Sequence, residues 1–159
     1  MATMKISPSQ TTEFTSTQLT PLGTVAMTID SDYGIKYWRY VKFVDAATTY
    51  ADGAVVTRAS ATTWGVSNDR NGGLTITGHE VVGIVHGAPV ASDYGWVQCG
   101  GLGFSLGTFA AGDYLIPHGT NDNEAVISGY TASKANFNIF AKALTASTGT
   151  GLVNIMGLI

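Results

Sequence analysis

The chain has 159 residues and a mass of 16.6 kDa, the size of one domain. Only 12% of it is charged, against about 25% in ordinary soluble domains, and with 20 Gly this excludes a long helical bundle or coiled coil. Eight Lys and Arg against 11 Asp and Glu leave a net charge of −3 with no run of either sign, so nucleic acid is not an expected partner.

By surface scaling, a folded chain of this mass exposes roughly 7,600 Å² where its extended form exposes roughly 24,000 Å², enough burial for a real core. That core needs no staples. Cys99 is the sole cysteine, so no intrachain disulfide forms, and a four-ligand zinc site would need His79, His86 and His118 to converge on it. No uninterrupted apolar stretch approaches membrane-spanning length, and Met1 to Pro8 lacks the apolar centre of a secretory signal. These features predict a soluble, disulfide-free, β-leaning domain without metal or cofactor.

Residues 1–24 read as an extended N-terminal arm. Nine of the first twenty residues are Ser or Thr, and Pro8 and Pro21 each remove a backbone donor. Ile6, Phe14, Leu19 and Leu22 are too sparse for a core but suit isolated anchors. The segment is either a frayed terminus or a strap that orders against a neighbouring subunit.

Residues 25–159 read as the body, made of short strands between turn signals. A modest strand runs from Thr24 to Ile29, and Asp30 to Gly34 supplies turn chemistry. The clearest strand is Ile35 to Val44, with Ile35, Tyr37, Arg39, Val41 and Phe43 on one side and Lys36, Trp38, Tyr40, Lys42 and Val44 on the other. Aromatics beside long lysine stems suit a half-buried sheet face or a subunit contact, so Trp38, Tyr40 and the later Trp96 are candidate interface residues.

Further strands are expected at Gly53 to Arg58, near Leu74 to Thr77, and at His79 to Val90, where Val81, Val82, Ile84 and Val85 permit burial on both faces. Ser67 to Gly73 is dense in turn residues. Tyr94 to Cys99 and Tyr114 to Pro117 follow, the latter after the turn Ala110 to Asp113. The spacing then predicts a terminal hairpin of about Phe137 to Ala146 and Gly151 to Ile159 around a turn at Ser147 to Thr150. Eight or more such strands make an all-β fold, a jelly-roll-like β-sandwich or a small β-barrel.

Reactive motifs are weak. Gly103-Phe-Ser-Leu-Gly107 matches the hydrolase elbow, and Asp113 and His118 follow Ser105 in hydrolase order, but the elbow needs a parallel strand opening into a helix. The expected role of Gly100, Gly101, Gly103 and Gly107 is to let a strand bend or approach another backbone. His79 and His86 are an odd number apart and face opposite sides of a regular strand, so they are poor joint ligands. Glu80, Asp93, Asp113, Asp122 and Glu124 form no catalytic pair. No enzymatic activity is expected. Trp64 or Trp96 could stack on a sugar, which is the alternative reading of a carbohydrate-binding module.

Tyr37-Trp-Arg-Tyr-Val-Lys42, His86 to Gly101 with its Tyr94-Gly-Trp-Val-Gln98 strand, and Ala110-Ala-Gly-Asp-Tyr-Leu-Ile-Pro117 carry a resemblance that runs from Tyr37 to the C-terminus. In these features the chain resembles the head decoration, or cement, proteins of tailed bacteriophages. The resemblance implies a mostly β protein on the outer capsid surface of the virion, bound to the major capsid protein as a homotrimer and stabilising the expanded head. It implies no catalytic residue, and it would make Ile6, Phe14, Leu19 and Leu22 a capsid-binding arm. The alternatives are a carbohydrate- or receptor-binding module of a tail or fibre, using Trp64 or Trp96, and a tail-tube or neck subunit.

Overall fold

The computed structural model describes residues 4–44, 49–60, 63–68, 80–117, 122, 124–127 and 139–157. Strands β1 (Met4–Lys5), β2 (Val25–Asp30), β3 (Gly34–Phe43), β4 (Val55–Arg58), β5 (Gly65–Ser67) and β6 (Val81–Val85) lead to the long β7 (Tyr94–Phe109). β8 (Tyr114–Pro117), β9 (Ala125–Ile127), β10 (Ala141–Ala143) and β11 (Ser147–Ile155) follow, and Pro8–Thr12 forms a 3-10 turn. The described residues contain no α-helix, so the fold is all-β and barrel-like.

The strands pair in the order β1-β2-β3-β5-β4-β6-β7-β11-β10-β8-β9, with added pairings of β3 to β7 and β7 to β9. Those two added pairings close two rings. The first runs β3-β5-β4-β6-β7 and back to β3; the second runs β7-β11-β10-β8-β9 and back to β7. β7 belongs to both because it is 16 residues long, about 50 Å at the usual rise. Its first half pairs with β3 and β6, and its second half with β11 from Gly101↔Ile155 to Phe109↔Ser147.

Glycine makes the sharing possible, as the sequence leads one to expect. Gly101, where the strand passes from one ring to the other, has φ 87°, and a side chain there would strike the carbonyl oxygen of Ile35. Gly107 has φ 146° and lies against the Ala125 carbonyl, at the single bridge that closes the second ring. Ser105 therefore sits fully buried inside a strand, far from any strand-to-helix elbow.

Each ring holds a core. Val41, Phe43, Val56, Val66, Val85 and Val97 fill the first, where the Tyr50 hydroxyl donates to the Val66 carbonyl at 3.0 Å. Phe109, Leu115, Phe140, Val153 and Ile155 fill the second. Strands β4 and β6 join the two: Val56, Val82 and Val85 face the first core, while Val55, Val81 and Ile84 face the second, with a register shift between Val56 and Thr57 interrupting strict alternation. Burial of β6 on both faces, expected from its valines, follows from this position between two cores.

Other expectations shift. Ser147 to Thr150 is not a turn; it lies inside β11 paired to β7, and the chain reverses at 144–146. Small Ser, Thr and Gly residues look like turn chemistry, but opposite the glycine-rich half of β7 they form a thin, exposed ribbon. β5 and β9 are three residues each, too short for a periodicity to register. The strand expected near Leu74 to Thr77, most of the turn Ser67 to Gly73, and His79 and His118 lie outside the described residues.

Candidate functional site

The alternation of β3 puts Trp38 and Tyr40 on the face turned away from the first core. Tyr40 stands opposite Trp96 of β7, ring edge to ring face at 5.1 Å between centroids. Ala26 of β2 and Ile6 complete an apolar seam on the outside of the first ring.

The arm lies along this seam. Met4–Lys5 pairs in parallel with Ala26 and Met27, and the Ile6 N–H donates to the Met27 carbonyl at 3.1 Å. Phe14 packs over the bare backbone of Gly87 and Gly95 and meets the Phe43 ring edge-on at 5.6 Å. Thr15 and Tyr94 exchange two backbone hydrogen bonds, and the Leu19 N–H donates to the Tyr40 hydroxyl at 3.1 Å. Leu22 packs against the aromatic cluster. A cavity of about 90 Å³ remains between strap and sheet, lined by Ile6, Leu19, Tyr40, Tyr94 and Trp96 among others.

Two sets of expected site residues meet on this face. In the single chain Ile6 and Leu22 pack on the seam and Phe14 packs against the first core, which removes their apolar surface from water. Leu19 alone stays outside, 72% exposed. Trp38, Tyr40 and Trp96 are buried in the single chain, on the seam along which the arm lies. The total surface of 7817 Å², close to the roughly 7,600 Å² of a folded chain of this mass, agrees with a docked arm.

Beside the seam lies a polar network. Gln98, fully buried, donates its amide to the carbonyls of Gly100 (3.1 Å) and Leu102 (2.8 Å), which leaves its oxygen to accept from His86 Nε2 at 2.7 Å. His86 is thereby fixed as the Nε2–H tautomer. Burial pushes its pKa below the usual value of 6.5, with the Gln98 bond and the Asp52 charge opposing. Next to it Lys36 pairs with Asp30 at 3.1 Å, and the Trp38 indole donates to Thr28 Oγ1 at 2.9 Å. The backbone N–H of Asp32, then Lys36, hold the Asp30 carboxyl below its ordinary range.

A third feature carries charge. Trp64 has two guanidinium groups over its indole, Arg39 at 4.3 Å and Arg58 at 3.8 Å from the ring centroid. Arg58 pairs with Glu80 at 3.2 Å, but Arg39 has no acidic partner among the described residues. Arg39 is only 6% exposed, and its Nε has no hydrogen-bond partner. A cation–π contact supplies about 0.5–2 kcal/mol, whereas a buried charge left without its counterion costs about 3–5 kcal/mol, so the ring covers only part of that cost. The signal for this cluster is legible in β3, where Arg39 interrupts an otherwise apolar face of Ile35, Tyr37, Val41 and Phe43. Burial pushes the nearby Cys99 thiol up to about 11, with Arg39 opposing, so Cys99 is an un-ionised core residue.

Among the described residues no group of three His, Cys, Asp or Glu side chains could hold a metal ion. Asp113, expected in a turn, accepts the Ala110 N–H at 2.7 Å, and the buried Ser105 hydroxyl donates to the Leu106 carbonyl at 3.4 Å. Trp96 is buried and the indole of Trp64 is covered by arginine, so neither offers a bare platform for a sugar. No family model, curated protein or solved structure matches this chain.

Proposed function

We propose that this chain is a virion structural protein that decorates the outside of an expanded bacteriophage head, bound to the major capsid protein as a homotrimer. The observation that carries the reading is an exposed apolar ridge at the β2–β3 hairpin. Ile29 and Ile35 stand directly opposite each other at 56% and 49% exposure, and Tyr33 meets Phe104, itself 37% exposed, edge-on at 5.9 Å. A rigid β framework that leaves such side chains in water is suited to meeting another protein surface.

The mechanism is differential affinity. A subunit that binds the expanded lattice better than the compact one stabilises expansion by that difference, and linked subunits make later contacts intramolecular. Within the arm, Ile6 and Leu22 brace the aromatic seam, Phe14 braces the first core, and Leu19, 72% exposed, is the anchor that touches a shell.

Co-sedimentation with expanded and unexpanded heads stripped of the chain tests this. Retention on expanded heads alone is expected, and Ile35→Asp weakens it roughly tenfold or more, the effect of one buried hot-spot residue. Equal retention on both forms, or none on either, contradicts the proposal.

A further inference from the structure

We propose that the cavity between arm and sheet receives the ammonium head of a lysine side chain, presented by the protein surface onto which the chain docks. Tyr40, Tyr94 and Trp96 line it, and the Tyr40 and Trp96 rings stand at 63° to each other. Rings set at such an angle form a corner, and the negative face of an aromatic ring attracts a cation. Tyr94 already holds one from outside the cavity, with Lys42 Nζ 5.5 Å from its ring centroid. Among the described lining residues Glu13 alone is charged, and it forms no ion pair with a described residue. Thr15 spends its hydroxyl proton on the Thr17 carbonyl at 2.6 Å, which leaves its oxygen as an acceptor. Carboxylate, acceptor and rings together favour a positively charged donor.

The cavity opens on the side of the arm. Glu13 and Leu19 there are exposed and Thr15 and Tyr94 half-buried, while Tyr40 and Trp96 form the buried floor. Its volume of about 90 Å³ exceeds the roughly 10–15 Å³ that one water needs and falls short of the roughly 150 Å³ that takes benzene, so it fits the end of a side chain rather than a ring. Lysine suits it better than arginine, because an ammonium is a compact charge with three donors and a guanidinium is a wide planar fork. Leu19 stands at the mouth, so a surface that covers Leu19 also brings its side chains to the opening. The partner therefore rests on the docking role proposed above; the selectivity of the cavity for an alkylammonium does not.

Nuclear magnetic resonance of the isolated, nitrogen-labelled chain tests the site, with n-butylammonium as the probe and sodium at equal ionic strength and 1-butanol as controls. The Trp96 indole N–H and the Leu19 backbone N–H, which donates to the Tyr40 hydroxyl, should shift saturably with butylammonium alone. Glu13→Gln, at an exposed position, should weaken binding about two- to fivefold by removing the lining charge. Tyr94→Leu keeps apolar bulk without the ring and should weaken it by a similar factor. Tetramethylammonium, which has no N–H to donate, should bind less tightly. A linear drift, an equal response to sodium or butanol, tighter binding of tetramethylammonium, or unchanged affinity in Glu13→Gln overturns the site. Because no shell is present, that failure leaves attachment to heads to be judged by co-sedimentation alone. For the partner, acetylating the lysines of stripped expanded heads should reduce retention of the parent chain more than that of Glu13→Gln, and an equal reduction overturns lysine as the occupant.

Discussion

Gln98 shows how much one side chain can hold. Its amide satisfies two carbonyls of β7 and fixes the histidine beside them, so Gln98→Ala would leave buried groups without partners. Each such group costs about 1–3 kcal/mol, and chemical denaturation of the variant should show a loss of at least about 2 kcal/mol. His86 adds a pH dependence. Its folded pKa lies below the unfolded 6.5, so the unfolded chain binds a proton that the folded chain refuses. The stability is complete above pH 6.5 and declines as pH falls from there toward the folded pKa. Thermal melts of His86→Gln should show a shallower decline over that window than the parent chain; equal slopes would remove His86 from the account.

At the level of elements, β7 is the member on which both rings depend. Gly107→Ala places a Cβ against the Ala125 carbonyl in a backbone conformation that L residues rarely adopt, and should cost more than about 1 kcal/mol in a denaturation measurement. The strand pattern of β3, the two-faced burial of β6 and the bending role of the glycines are legible in the sequence because each is a local alternation or a local steric need. The sharing of β7 is not, since a strand of this length with a glycine-rich middle reads locally as two pieces. The position of the arm is equally hidden: sparse anchors such as Ile6 and Phe14 look the same whether their receptor belongs to the same chain or another. Tyr40→Phe removes only the hydroxyl that receives the Leu19 N–H, and should cost about 1 kcal/mol with little change elsewhere in the amide spectrum.

For the whole molecule, the account joins a braced β framework to an exposed apolar ridge and an arm already spent on its own body. Removing residues 2–22 should therefore bare Trp38, Tyr40 and Trp96, lower the melting temperature and promote association. An unchanged melting temperature would mean that the arm contributes nothing to the body. The most direct test of the central claim, that the chain acts as a lattice-bound coat component, is its copy number in intact particles by quantitative mass spectrometry against the shell protein. A copy number of the same order as the shell protein's is the predicted result; a handful of copies per particle, or none, would contradict it.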